Sequence, residues 1–237
     1  MGSSSESARA HGRTRHMSGI PPLSLHPRQD FITRVSMEPA KKMRPSELLD
    51  RLNLVQKSAL LLAMAASGDP IRGKLWFQKE MFLLAKGLPD LSEELAYEPS
   101  LMGPLSDALD WNLDQLEAVG LIERSDSTFR LTDEGEEHAR LASRKLDSSK
   151  VRIIEETKQL LNDLPKDELL AFIYFLYPEM TVESEELQGL LPRRRDLAAK
   201  LYARGKVGLE RGATIADLGV QEFAALLRRK GIPRYSE

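Results

Sequence analysis

Among residue types able to carry covalent or metal chemistry, this 237-residue chain offers few: it has no cysteine and four histidines. Without thiols there is no disulfide, no thiolate-held zinc and no cysteine nucleophile. His11, His16 and His26 lie in a polar N-terminal stretch, which leaves His138 alone, on a Glu-rich segment where a solvated imidazole is expected. A catalytic triad needs a nucleophile, a base and an orienting group within hydrogen-bond reach, and a metal site needs clustered ligands. One histidine supplies neither, so no catalytic residue, metal ligand or cofactor is expected. What remains is binding chemistry carried by charge.

The net charge of −2 is unevenly spread. Residues 1–44 hold eight Lys/Arg against three acids, residues 45–192 hold 15 against 28, and residues 193–237 hold 11 against five. A phosphate backbone is attracted by the two ends and repelled by the middle. The candidate DNA-binding set is therefore Arg193, Arg194, Arg195, Lys206, Arg211, Arg228, Arg229 and Lys230, with Gln221 at a helix start where a base edge would be read. The competing reading is that basic ends only aid solubility. In the middle, Asp107, Asp110, Asp114 and Glu117 surround Trp111 on one helix with four acids and no base. Such a helix is a poor groove reader, because acids oppose phosphate. Trp is enriched at interface hot spots, so these five residues form the candidate protein-binding set. Alternatively, Trp111 packs beneath the first helix or the N-terminal tail.

These residues need elements to position them, and a mainly α chain is expected. Residues 1–44 lack any period and read as a disordered basic tail, with Met17, Met37 and Met43 as alternative starts. Residues 45–146 read as a winged-helix-like domain, three helices plus a small β-hairpin. Pro45 and Ser46 open the first helix, which continues through Leu62 to a stop at Gly68-Asp69-Pro70. The second runs to Gly87, with a loop around Tyr97 and Pro99 after it. Ser106 caps the third, whose buried stripe is Leu105, Leu109, Leu113, Leu116 and Val119. "LIER" and "TFRLT" form the hairpin, and a fourth helix follows from Glu134. Residues 147–192 are connecting helices in which Phe172, Tyr174, Phe175 and Tyr177 read as core. Residues 193–237 form a basic helix-turn-helix-like segment. There Gly219 sits in the turn with a positive φ, and Val220, Phe223, Ala224 and Leu227 face inward. Two features disturb the register: Arg228 falls where such a motif buries an apolar residue, and Glu222 faces the phosphates.

Two resemblances bear on function. "KLWFQKEMFLLAK", "LMGPLSDALDWNLDQLEAVGLI" and "FRLTDEG", between Lys74 and Gly135, together resemble the winged-helix-like domain of the prokaryotic Panacea type and its archaeal relatives, which occurs in antitoxins and uncharacterised proteins. "LAAKLYARGKVGLERGATIADLGVQEFAALLRRKGIP" resembles a short antitoxin-like helical family. These resemblances imply a non-enzymatic prokaryotic regulator of antitoxin type. It would bind a protein partner, such as a toxin, through the acidic winged-helix module, and operator DNA through the basic C-terminal segment. The alternative is a protein-interaction adaptor that binds no nucleic acid. No apolar run is long enough for a membrane span, so a cytoplasmic protein is expected, and a homodimer is open.

Overall fold

The computed structural model describes residues 45–65, 69–125 and 127–233. The predicted tail, residues 1–44, lies outside them. The described residues belong to one compact unit. It is mainly helical: α1 (Pro45–Arg51), α2 (Leu54–Met64), α3 (Lys74–Gly87), α4 (Pro89–Leu95), α5 (Asp107–Ala118), α6 (Asp133–Lys145), α7 (Ser148–Leu161), α8 (Lys166–Leu176), α9 (Leu187–Leu190), α10 (Arg194–Ala203), α11 (Leu209–Ala216) and α12 (Val220–Arg229). The sheet is one antiparallel pair, β1 (Ile122–Ser125) and β2 (Thr128–Leu131), with Ile122 opposite Leu131. The backbone of Ile71, between α2 and α3, bridges Phe129 of β2 at 2.9 Å in both directions.

The first predicted helix is two. Asn53 ends the run by offering its own cap: its side chain accepts from the Gln56 amide at 2.8 Å, and the Gln56 side chain accepts from the Asn53 amide at 3.1 Å. This reciprocal box restarts the chain as α2 and outweighs the continuous apolar spacing across it. The segment after Gly87 is not all loop either. Pro89 provides a pre-set φ at the first turn of α4, which buries Leu91 and Leu95.

Two apolar clusters make the interior. The first joins α1 to α7 around Leu60, Leu62, Phe77, Leu113 and Phe129. The second joins α8 to α12 around Phe172, Tyr174, Leu201 and Phe223, with Phe82 of α3. Trp76 and Tyr97 pack against both. Gly103, at φ 79°, lies against the second cluster: a Cβ there would lie 2.4 Å from the ring of Tyr174.

His138 is a correction. It is fully buried on α6, its Nδ1 2.7 Å from the Glu134 carbonyl oxygen. The acids that suggested solvent lie on the other side of the same helix, where Glu136 and Glu137 are exposed. Lys158 is buried as well, and its ammonium donates to the carbonyls of Ala63 and Ala65 at 2.9 Å each and to that of Asp69. It thereby satisfies chain-end carbonyls of α2 that have no helical partner. Glu80 is buried without a hydrogen bond to its carboxyl group, and burial pushes its pKa well above the ordinary carboxylate range while the Lys158 charge pulls the other way. Among the described residues no helix is long and apolar enough to cross a membrane.

Candidate functional site

The α5 face is built from its cap upward. Ser106 accepts from the Leu109 amide at 3.1 Å and donates to the Leu95 carbonyl, which fixes the start of the helix. Leu109, Leu113 and Leu116 then enter the first cluster, whereas Leu105 is half-buried ahead of the helix and Val119, past the end of α5 at Ala118, is 48% exposed and does not complete the expected stripe; Trp111 on the opposite side is 59% exposed. At that exposure it is not buried beneath α1, and the alternative of packing beneath the N-terminal tail lies outside the described residues. Its neighbours differ in how free they are. Asp107 is exposed and has no ion pair among the described residues. Asp110 is drawn inward, accepting from Gln78 Nε2 at 2.9 Å and pairing with Lys74 at 2.7 Å. Asp114 and Glu117 are exposed but share Arg124 of β1, the Glu117 pair at 2.8 Å. Exposed pairs of this kind contribute ~0–1 kcal/mol each to stability.

In the C-terminal helices the nine predicted DNA-contacting residues separate into two groups. Arg194 is structural: it donates to the carbonyls of Ile215 and, at 3.0 Å, Thr214, closing the end of α11, and its guanidinium lies 4.4 Å from the ring centre of Phe175. Arg193 pairs with Asp167 at 2.6 Å, and Lys230 with Asp196 at 2.6 Å. Lys206 donates to the Gln159 carbonyl at 2.6 Å and pairs with Asp163 at 2.8 Å. The other five, Arg195, Arg211, Gln221, Arg228 and Arg229, are exposed with no hydrogen bond or ion pair among the described residues. Sequence counts charges but not their partners, and the acids that pair with Arg193, Lys206 and Lys230 lie 26 or more residues away along the chain.

The turn between α11 and α12 also differs from expectation. Gly219 has φ −64° and is the N-cap of α12, and the left-handed residue is Asp217, at φ 58°. Asp tolerates that region better than most side chains, so the reversal needs no glycine there. The glycine that packing does require is Gly212, where a Cβ would lie 2.4 Å from the Phe223 ring. Glu222 is occupied in the cap, accepting from the Gly219 amide at 2.9 Å. Phe223, Ala224 and Leu227 are buried as expected, while Val220 is 38% exposed and Arg228 points outward.

One feature was missed from sequence. A cavity of about 360 Å³ opens beside α3, lined by Lys74, Leu75, Gln78, Lys79, Ser100, Leu101, Met102 and Leu105. Its signal was the apolar pair Leu101-Met102 within a loop bounded by Pro99 and Pro104. Lys79 is 1% exposed, donates to the Pro104 carbonyl at 2.7 Å, and is held down at a pKa of about 7 by burial. Among the described residues no group of three or more His, Asp or Glu is placed to hold a metal ion.

No family model, curated protein or solved structure matches the chain.

Proposed function

We propose that the protein is a non-enzymatic regulator of antitoxin type, which holds a protein partner on the α5 face and DNA on the outer side of α10 to α12. The observation that carries this reading is Trp111, 59% exposed on a helix that also turns Asp107, Asp114 and Glu117 outward and no base. Keeping an indole in water is unfavourable in the free protein, and that cost is relieved when a partner covers it. The order of elements supports a winged-helix module: two helices, a bridging residue at Ile71, three further helices, then a hairpin whose second strand takes up that bridge. Arg195, Arg211, Arg228 and Arg229 supply the unpaired cations that binding to phosphate needs.

The adaptor reading is favoured by one observation: Arg193, Arg194, Lys206 and Lys230 already serve internal partners. A mobility shift of the full chain on random-sequence duplex DNA separates the two. A regulator retains DNA at low salt and releases it as salt rises. An adaptor retains none at any salt.

A further inference from the structure

We propose that the cavity beside α3 receives one large apolar side chain from a basic segment of a protein partner. The proposal rests on the reading of α5 as a protein-binding face and names the chemistry of what binds there. At about 360 Å³ the cavity is large enough for a Leu, Met or Phe side chain and lies at the small end of the ~300–1,000 Å³ typical of binding pockets. Most of its polar groups are already engaged within the protein. Gln78 Nε2 donates to the Ser106 carbonyl at 3.0 Å and to Asp110 at 2.9 Å, and Gln78 Oε1 accepts from the Ser106 amide at 3.0 Å. Lys79 donates to Pro104 at 2.7 Å and Ser100 to Gly103 at 2.6 Å. A guest therefore meets carbon from Leu75, Leu101, Met102 and Leu105. A polar guest would lose its hydration for little in return, whereas an apolar one gains.

The rim selects the charge around that side chain. Leu101, 56% exposed, is backbone-bonded to the acidic loop, with the Glu185 amide donating to its carbonyl at 3.1 Å. Leu105 is backbone-paired with Glu98 at 2.9 Å. Glu98, Glu183 and Glu185 are all exposed. On the other side, Lys74 and Gln78 both bond Asp110, the residue before Trp111, so the cavity adjoins the α5 face with its exposed Asp107. Of the two lysines in the lining, Lys74 has its charge met by Asp110 at 2.7 Å, and Lys79 is buried, turned to the Pro104 carbonyl and held down at a pKa of about 7. An apolar hole bordered by acids fits an apolar anchor flanked by Lys or Arg.

The test uses the full chain, isotope-labelled, and three synthetic peptides followed by amide chemical-shift titration. One peptide carries a single Phe between lysines, one has Ala in place of Phe, and one has Glu in place of the lysines. The Phe peptide is expected to move the Leu101, Met102 and Leu105 amides and to bind about tenfold tighter than the Ala peptide. The Glu peptide is expected to bind several-fold more weakly. Leu75→Phe, which fills the cavity, should erase the Phe–Ala difference, with the thermal midpoint checked in parallel. Should Leu75→Phe fail to fold, the comparison among peptides on the unaltered chain decides alone. Equal binding of the Phe and Ala peptides, or of the Lys and Glu peptides, overturns the proposal. So does 4-ethylphenol shifting the same amides when no Phe–Ala difference is seen, since the cavity would then serve a free small molecule. Trp111→Ala keeps the two readings apart. A Phe–Ala difference that survives it upholds the cavity and counts against α5, and loss of all peptide binding with no prior Phe–Ala difference does the reverse.

Discussion

Lys79 and Glu80 are adjacent in sequence, both buried in α3, and displaced by that burial in opposite senses. Lys79 titrates at about 7 in the folded chain and at 10.5 when exposed, so over that interval the unfolded chain holds a proton that the folded one lacks. Its contribution therefore grows as pH rises from about 7 to 10.5 and is lost on the way down. Glu80 works the other way: its raised folded pKa makes a contribution present below 4.5 and lost as pH climbs from there. Urea unfolding across this range should show Lys79→Met flattening the alkaline rise, by at most about 1.4 kcal/mol per pH unit. Glu80→Gln should remove the decline on the acid side. An unchanged profile in both variants would show that neither group is perturbed. At this scale the sequence was least legible, because Lys79, Lys158 and His138 are types expected at the surface and their partners are set by packing. Arg194 belongs with them. Arg194→Ala should cost about 1–3 kcal/mol by baring the Thr214 and Ile215 carbonyls, and should leave the salt dependence of DNA retention unaltered.

Helices were the most legible level, since periodicity and caps are local. Ser106 and Thr132 cap α5 and α6 as their types suggest, and α7 and α8 fall on either side of Pro165. What escaped was the break at Asn53, where a local cap competes with apolar spacing, and the conformation of the α11–α12 turn. Two glycine substitutions check that turn by thermal or urea unfolding. Gly219→Ala should cost less than about 1 kcal/mol, because the residue is an ordinary N-cap. Gly212→Ala should cost about 1–3 kcal/mol, because Phe223 must give way. The reverse order would restore Gly219 as the constrained residue. On α5, Trp111→Ala with Asp114→Lys should leave the thermal midpoint within a few degrees, since both side chains face solvent. A large loss would show that Trp111 supports the fold.

For the whole molecule, the basic part of the charge division read from sequence is smaller than the count suggested. Half of the eight predicted cations are tied to Asp163, Asp167, Asp196 or the end of α11, because folding brings distant acids against them. Binding to nucleic acid then falls to Arg195, Arg211, Arg228 and Arg229, and its most direct test is the log–log salt slope of affinity for random duplex DNA. Replacing all four with Ala should reduce that slope by about 3 to 4, at ~0.9 for each phosphate left without its cation. Replacing Arg193 and Lys230 instead should leave it nearly unchanged. A chain that holds no DNA at about 50 mM salt, or a slope indifferent to the four substitutions, would contradict the regulator account and leave the adaptor in its place.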